Sequence, residues 1–323
     1  MVGRGIEPAR RRLGRSLVEV VPIGVGCWAW GDEEYWRYGQ DHGPADVVAA
    51  FDAAIGEGLD FFDTAEAYAW GKGEQILGAL VRKSERGAVV ATKYAPLAGR
   101  GGAAAVAKGL AGSLRRLRLP VIDLYQLHWA DREEAPVGAV MDVLADAVQR
   151  GQVRAVGVSN FSATETREAH AALARHGIPL ATNQVRYSLL HRAPEVDGVL
   201  ATCRELGISV LAYSPLDQGL LTGKYTPGAP PAGKRADSPW FAPENISAAQ
   251  PVVAKLRTIG GGHGVEPAAV ALAWLLGQPD VIPLAGAKTA AQARQNATAL
   301  GVRLSENELA DLDEATIRWR SSL

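Results

Sequence analysis

The chain has 323 residues, 47% of them hydrophobic, and its 34 basic and 35 acidic residues give a net charge of −1 at pH 7. Because it has no broad positive field, we expect neither a nucleic acid nor an anionic membrane as a partner. The two cysteines, Cys27 and Cys203, have no CxxC or metal-binding spacing, which argues against a disulfide framework and favours the cytoplasm.

The first residues are predicted to form a tail and then a short hairpin. Residues 1–11 are basic and lack the apolar core of a signal peptide, so we expect a flexible tail there. Residues 12–18 contain Gly14 between short apolar pieces, which predicts a hairpin. No later run approaches the roughly 20 apolar residues of a membrane-spanning helix.

The rest of the chain alternates between strand-like and helix-like segments. Apolar residues such as Val47, Phe51 and Ile55 recur at four-residue spacing, as on one face of a helix. Strand-like runs lie between such helices at residues 21–28, 59–63, 88–93, 121–128, 153–159, 180–184, 209–213 and 281–283. Residues 214–245 are rich in proline and glycine and are expected to form a loop. We predict a single domain, residues 12–323, for which a (β/α)8 barrel with auxiliary helices matches better than an open doubly wound sheet.

Successive strand ends carry chemically active side chains. Asp63, Lys93 and His128 come at the ends of the second, third and fourth runs, and Tyr68 lies in the loop after Asp63. In a barrel of parallel strands these ends meet at one face. A lone Asp–Lys pair is more often structural. The four side chains together predict a functional site.

These four side chains suit the protonation of a carbonyl oxygen. A tyrosine with a pKa near 10 is a poor acid at neutral pH, but the Lys93 ammonium is expected to lower the pKa of Tyr68. Asp63 would keep Lys93 charged, and His128 would orient the substrate oxygen through a hydrogen bond. Because no side chain is a source of hydride, reduction of the carbonyl requires a cofactor beside Tyr68.

The remaining strand ends offer polar side chains for a cofactor, although the chain has no GxGxxG after a strand and no P-loop. Asn160 and Gln184 suit a carboxamide, and Tyr213 suits a planar ring. Lys288, beyond the eighth run, opens a helix whose N-terminal amides suit a phosphate. The remaining histidines form no HExxH or other metal spacing, so no metal site is expected.

These residues lie in eight motifs that follow one another in the order of a known family. From Leu13 to Leu312 the chain resembles the aldo-keto reductases. The matching motifs are Asp63-Thr-Ala-Glu-Ala-Tyr68, Thr92-Lys93, Asp123-Leu-Tyr-Gln-Leu-His128, Gly157-Val-Ser-Asn-Phe161, Asn183-Gln184, Ala212-Tyr-Ser-Pro-Leu216, Gly219-Leu-Leu-Thr-Gly-Lys-Tyr225 and Ile282-Pro-Leu-Ala-Gly-Ala-Lys288. Each motif is weak alone, but eight in order are specific. The loop at residues 28–43 resembles a subgroup of plant and bacterial pyridoxal-reductase-like oxidoreductases.

The resemblance implies a (β/α)8 barrel that reduces aldehydes and ketones with NADPH, with NADH as the less favoured cofactor. The family's catalytic tetrad falls on Asp63, Tyr68, Lys93 and His128. Its cofactor contacts fall on Ser159, Asn160, Gln184, Tyr213, Ser214, Leu216, Gln218, Gly286, Lys288, Thr289, Gln292 and Asn296. Gln292 stands where many members have an arginine for the 2′-phosphate, which leaves Lys288, Thr289 and Arg294 for that role.

The substrate pocket is assigned to two aromatic residues that follow strand ends, Trp28 and Trp129. Such a pocket favours aromatic or apolar carbonyl compounds over sugars, while Tyr35, Trp36 and Trp240 have no assigned role. The alternative function is an NADPH-binding redox sensor with little turnover, as in the potassium-channel β subunits that resemble this family. The complete tetrad favours the enzyme, and a barrel hydrolase or lyase would leave the Tyr–Lys pair unexplained.

Overall fold

The strands of this computed structural model form one closed parallel barrel and one short hairpin. The structure describes residues 9–97, 101–130 and 136–320. Its strands are β1 (Arg11–Arg12), β2 (Glu19–Val20), β3 (Gly24–Gly26), β4 (Phe61–Asp63), β5 (Val89–Tyr94), β6 (Ile122–Leu127), β7 (Val153–Ser159), β8 (Leu180–Arg186), β9 (Ser209–Tyr213) and β10 (Val281–Gly286). The barrel runs in chain order from β3 to β10, and β10 closes it by pairing with β3.

Helices connect successive barrel strands, and two more follow the last strand. They are α1 (Pro44–Gly56), α2 (Lys72–Lys83), α3 (Ala103–Leu117), α4 (Val137–Gln149), α5 (Ala163–Ala174), α6 (Val199–Leu206), α7 (Pro243–His263), α8 (Pro267–Leu276), α9 (Ala290–Thr298) and α10 (Glu306–Thr316). The start of α5 shows how the sequence defines a boundary. Ser162 accepts a hydrogen bond from the Glu165 amide, and the Glu165 carboxylate accepts one from the Ser162 amide. Such a capping box satisfies two amides that have no partner within the helix.

Alternation along the strands divides the barrel interior into an apolar layer and a polar layer. Side chains two residues apart lie on the same side of a strand. Phe61 and Leu124 belong to a buried cluster that also contains Leu13 of the hairpin turn, so the hairpin closes this end of the barrel. Two residues further along their strands, Asp63 and Gln126 contact each other across the interior. The same periodicity therefore places the polar groups at the C-terminal end of the strands.

The predicted barrel and N-terminal hairpin are confirmed. The end of the predicted loop at residues 214–245 is wrong, because α7 begins at Pro243, and proline is favoured in the first turn of a helix. The loop itself contains the short 3₁₀ turns Asp217–Thr222, Gly233–Arg235 and Pro239–Phe241. Residues 1–8 of the predicted tail lie outside the described residues. No helix in the described part of the chain is both long and apolar enough to cross a membrane.

Candidate active site

The site begins with a buried ion pair between neighbouring strands. Asp63 ends β4, and Lys93 is the penultimate residue of β5. The Lys93 Nζ atom lies 2.5 Å from Asp63 Oδ1 and donates a second hydrogen bond, 2.8 Å long, to the Thr64 carbonyl oxygen. Burial lowers the pKa of Lys93, but the attraction of Asp63 and Tyr68 outweighs it, and the pKa is raised above its usual value. Lys93 is therefore an ammonium at neutral pH.

Two amide side chains hold the other oxygen of Asp63. The Nε2 atoms of Gln126 and Gln184 donate to Asp63 Oδ2 over 3.2 and 3.0 Å. Gly157 leaves room for this arrangement, since a Cβ atom there would collide with Thr182 and lie 3.0 Å from Gln126 Cγ. The sequence suggested that Gln184 binds the carboxamide of a cofactor. In the structure its amide nitrogen donates to Asp63 inside the barrel.

The Tyr68 hydroxyl lies beside the ion pair. Tyr68 begins the 3₁₀ turn Tyr68–Gly71 in the connection after β4. Its Oη atom is 3.4 Å from Lys93 Nζ. Burial raises the pKa of Tyr68 above its usual value of 10.0, and Lys93 opposes this only in part. The expected lowering of the pKa is wrong, because burial and the nearby Asp63 charge destabilise the phenolate more than the Lys93 ammonium stabilises it. Tyr68 is therefore a protonated donor at neutral pH.

The imidazole of His128 is neutral and lies beside Tyr68. It follows β6, and its ring centroid lies 5.8 Å from that of Tyr68 in a T-shaped arrangement. Burial, with a smaller contribution from the Lys93 charge, lowers the pKa of His128 from 6.5 to about 3. Its Nδ1 atom is buried and has no hydrogen-bond partner within the described residues. At neutral pH this side chain can donate one N–H hydrogen bond but carries no charge.

The backbone at the mouth of the barrel is strained. The φ angle is +58° at Asn160, +50° at Ser214 and +53° at Gln218, all in the left-handed region that side chains disfavour. These residues lie in the connections that follow β7 and β9. Each such conformation costs on the order of 1–3 kcal/mol, and such residues cluster at functional sites.

Asn160 links three strand ends across the mouth. Its Nδ2 atom donates to the His128 carbonyl oxygen over 3.0 Å, and its Oδ1 atom accepts a 3.0 Å hydrogen bond from the Tyr213 hydroxyl. Ser159 donates to the backbone oxygen of Gln184 over 2.8 Å. Asn160 is exposed whereas Gln184 is buried. The Asn160 backbone amide also donates to the Gln184 carbonyl oxygen over 2.9 Å, so the two residues that were expected to bind a carboxamide are neighbours.

The start of α9 is held by its own polar side chains. Thr289 caps the helix by accepting the Gln292 amide hydrogen, and Gln292 Oε1 accepts the Lys288 amide hydrogen over 2.7 Å. Asn296 Nδ2 donates to the carbonyl oxygen of Gly286, the last residue of β10, over 3.2 Å. Gln292 and Asn296 thus hold the backbone between β10 and α9, which carries Lys288.

Two cations, Arg235 and Lys224, lie close to Lys288, and the three together form what we call the cation cluster. Burial lowers the pKa of Lys288, and the positive charges of Arg235 and Lys224 lower it further. The buried Arg235 guanidinium donates to Tyr225 Oη and to a backbone oxygen, which are neutral acceptors. Within the described ranges, none of the three forms an ion pair with a carboxylate. The cluster therefore fits an anion such as a phosphate.

The segment after β3 forms an aromatic wall, Trp28, Tyr35 and Trp36, next to Tyr68. The Trp28 ring stacks on Tyr35 at 5.1 Å and on Tyr68 at 6.2 Å, and Trp36 meets its edge at 5.4 Å. Tyr35 donates a 2.5 Å hydrogen bond to the side chain of Gln218. The wall is thereby tied to the turn Asp217–Thr222, which follows Leu216.

Trp129 and Trp240 lie outside this wall. Trp129 lies beside His128, with ring centroids 4.7 Å apart, and its Nε1 atom donates to the Pro96 carbonyl oxygen over 3.1 Å. It therefore lies between His128 and the connection that follows β5. Trp240 packs against the Arg186 guanidinium at 3.6 Å and holds the long loop rather than the aromatic wall.

Sequence reasoning missed Gln126 and Arg235 and left Tyr35 without a role. Strand alternation could have found Gln126, because it lies two residues before His128 and so on the same side of β6. No local signal marks Arg235 or the contact of Tyr35 with Gln218, since both lie in irregular connections whose course depends on tertiary contacts. No group of three or more His, Cys, Asp or Glu side chains in the described part of the chain is arranged to hold a metal ion.

Comparison with known proteins identifies the family. A profile described as the aldo/keto reductase family matches residues 22–317. An uncharacterised oxidoreductase of Mycobacterium tuberculosis is 38% identical over 306 residues, covering 94% of this chain and 92% of its own. A chloroplastic pyridoxal reductase of Arabidopsis thaliana is 32% identical, covering 92% and 84%. An NADH-specific methylglyoxal reductase of Escherichia coli is 32% identical, covering 91% and 94%.

Solved structures agree with these matches. A glycerol dehydrogenase of Gluconobacter oxydans superposes with a TM-score of 0.82 at 28% identity, over 98% of both chains. An aldo/keto reductase of Klebsiella pneumoniae in complex with NADP and acetate gives 0.71 at 30% identity, over 93% of this chain and 92% of its own. The chain therefore belongs to the aldo/keto reductase family and is an oxidoreductase that acts on carbonyl compounds with a nicotinamide cofactor.

Proposed function

We propose that this protein is an NADPH-dependent reductase of aldehydes or ketones in which Tyr68 protonates the substrate oxygen. The observation that carries the proposal is the contact of 3.4 Å between the Tyr68 hydroxyl and the Lys93 ammonium, with Asp63 behind it. A charged lysine next to a neutral phenol stabilises the phenolate that forms when the proton leaves. The pair is thus suited to give up a proton as charge develops on a carbonyl oxygen.

The other two members of the tetrad have supporting roles. Asp63 keeps Lys93 charged and in place, and Gln126 and Gln184 hold Asp63 from the other side. His128 is neutral, so it serves as a hydrogen-bond donor that orients the substrate oxygen rather than as the acid. A bound nicotinamide dinucleotide would supply the hydride that a carbonyl needs for reduction.

The residues that would hold the cofactor lie along the barrel mouth. Ser159, Asn160 and Tyr213 form a linked polar edge beside His128. The cation cluster lies by the start of α9, and within the described residues none of its members forms an ion pair with a carboxylate, which fits phosphate groups. We therefore favour NADPH, with Lys288 at the 2′-phosphate. One relative is named NADH-specific and one solved structure contains NADP, so the preference must be measured.

The aromatic wall points to the class of substrate. Trp28 stacks beside Tyr68, and Trp129 lies beside His128, so the two proposed chemical groups are flanked by indole rings. Planar aromatic or apolar carbonyl compounds would pack favourably against such rings, whereas polar sugars would lose hydration without gaining that contact. We also place the protein in the cytoplasm, in keeping with Cys27 and Cys203, which are buried free thiols.

Steady-state kinetics with NADPH and a panel of carbonyl compounds tests the function. The panel contains benzaldehyde derivatives, pyridoxal, methylglyoxal and aldoses, and each reaction is repeated with NADH. We expect turnover with NADPH and a higher kcat/KM for the aromatic aldehydes than for the aldoses. Near-background oxidation of NADPH with every compound would contradict the proposal and favour a redox sensor. A preference for aldoses would contradict only the assignment of substrate class.

A further inference from the structure

The backbone directly after Tyr68 is strained over three residues. The φ angles are +47° at Ala69, +55° at Trp70 and +87° at Gly71, so three consecutive residues are left-handed and two of them are not glycine. Such conformations persist only where the surrounding structure holds them. The Trp70 side chain does not do so, because it is 90% exposed. The residues on either side of the turn must therefore hold it.

Arg116 of α3 binds a carboxylate on each side of this turn. Its Nε atom lies 2.5 Å from Glu74 Oε2, and its NH2 atom lies 3.5 Å from Glu66 Oε2. Its side chain also packs against the turn, since a Cβ atom on Gly71 would lie 2.5 Å from Arg116 Cδ. One guanidinium thus contacts the residues before, within and after the strained segment.

The same two carboxylates bind β5 and the residue just beyond it. Glu74 accepts a 2.7 Å hydrogen bond from the Thr92 hydroxyl, and Glu66 accepts a 3.0 Å hydrogen bond from the Ala95 amide. Thr92 directly precedes Lys93 in the sequence, and Ala95 lies two residues after it. Both carboxylates are buried, with Glu74 fully inaccessible to solvent. Arg116 brings a positive charge into contact with both buried carboxylates.

We propose that Arg116 is a positioning residue for Tyr68. By binding Glu66 and Glu74 it fixes the strained turn to the strand that carries Lys93, and so it sets the distance between the Tyr68 hydroxyl and the Lys93 ammonium. Arg116 itself touches neither of these groups in the contacts described above. The proposal rests on the proposed function, because it requires that Tyr68 is the proton donor.

The variant Arg116→Lys tests the proposal. Lysine keeps the positive charge, but one ammonium does not reproduce the forked contact of a guanidinium with two carboxylates. Because small errors in the placement of a reacting group slow catalysis strongly, we expect kcat to fall about tenfold or more, with the KM for the aldehyde and the Kd for NADPH changed less than about twofold. The control is Arg82→Lys, which alters a hydrogen bond from α2 to the Leu117 carbonyl oxygen and should leave kcat unchanged.

A double-mutant cycle separates positioning from a general loss of structure. Single-turnover rates at high enzyme concentration are measured for Tyr68→Phe and for Tyr68→Phe combined with Arg116→Lys. If Arg116 acts through Tyr68, the second substitution causes no further loss. Equal losses in the two backgrounds, or a parallel loss of NADPH binding, would overturn the proposal. Near wild-type turnover of Tyr68→Phe alone would instead contradict the proposed function, so the two failures are distinguishable.

Thr92→Val provides a second variant if Arg116→Lys does not fold. It preserves the volume of the side chain and removes only the hydrogen bond to Glu74. We expect kcat to fall by a few-fold, again without a change in the Kd for NADPH. An unchanged kcat would overturn the proposed link between β5 and the turn.

Discussion

The Lys93 ammonium and the Asp63 carboxylate form an ion pair 2.5 Å long that is almost fully removed from solvent, with side-chain exposures of 0% and 4%. Surface ion pairs contribute little to stability, but a buried pair leaves an uncompensated charge when one partner is removed. This pair therefore supports both the fold of the barrel mouth and the chemistry that we propose for it.

Removal of Lys93 should destabilise the protein. We expect Lys93→Met to lower the free energy of unfolding by about 3–5 kcal/mol, because Asp63 is left buried without its cation. Adding Asp63→Asn should recover much of this loss, since the remaining groups are then neutral. Urea unfolding of the three proteins measures the effect. An equal loss in the single and double variants would show that the ion pair is not what Lys93 contributes.

Glycine at position 69 should stabilise the strained turn. Ala69 has a φ angle of +47°, a conformation that costs a residue with a Cβ atom about 1–2 kcal/mol but costs glycine little. Glycine loses more chain entropy on folding, so we expect Ala69→Gly to raise the free energy of unfolding by about 0.5–1 kcal/mol.

The matched control is Ala111→Gly on the exposed face of α3. Because alanine there is helical, the same exchange should lower the free energy of unfolding by about 1 kcal/mol. Thermal or urea unfolding of both variants gives the comparison. A decrease for Ala69→Gly similar to that of the control would mean that the left-handed turn carries no strain.

The cation cluster should determine the preference for NADPH. We expect Lys288→Met to raise the Kd for NADPH about ten- to a hundredfold, as for the loss of a charged hydrogen bond, and to leave the Kd for NADH nearly unchanged. Fluorescence titration measures both constants. The control is Lys234→Met, because Lys234 is a neighbouring lysine whose charge is paired with Glu34. Equal weakening of the two cofactors would place Lys288 away from the 2′-phosphate.

Burial of His128 should make the protein less stable in acid. Its pKa is about 3 in the folded protein against an ordinary value of 6.5, so the unfolded chain binds a proton that the folded chain does not. The stabilising contribution is complete above pH 6.5 and is lost as the pH falls toward 3. The loss is at most about 1.4 kcal/mol per pH unit. Urea unfolding at about pH 7 and about pH 5 should show a steeper decline for the wild type than for His128→Gln. Equal declines would show that His128 titrates normally in the folded protein.

The sequence was sufficient to predict the barrel and the elements that carry Asp63, Lys93 and His128. Their positions follow from strand ends, and strand ends follow from the two-residue alternation of apolar side chains, which is a local property. The position of Tyr68 could also be predicted, because it lies only five residues after Asp63 in the connection that follows the strand.

The electrostatic state of the site could not be predicted in this way. The pKa of Tyr68 depends on burial and on the opposite charges of Asp63 and Lys93. The sequence pattern alone suggested a lowered pKa, whereas the pKa is raised. The side chain of Gln126 reaches Asp63 in the space that Gly157 leaves on a neighbouring strand. Arg235 reaches the cation cluster from a 3₁₀ turn within a long loop, and no periodicity specifies its path.

The most direct test of the account is the turnover of Tyr68→Phe with NADPH and an aromatic aldehyde. Phenylalanine preserves the ring that stacks on Trp28 and removes only the hydroxyl that lies beside Lys93. We predict that kcat falls by about a hundredfold or more while the Kd for NADPH stays within about twofold of the wild type. A kcat close to that of the wild type would show that the proton comes from another group.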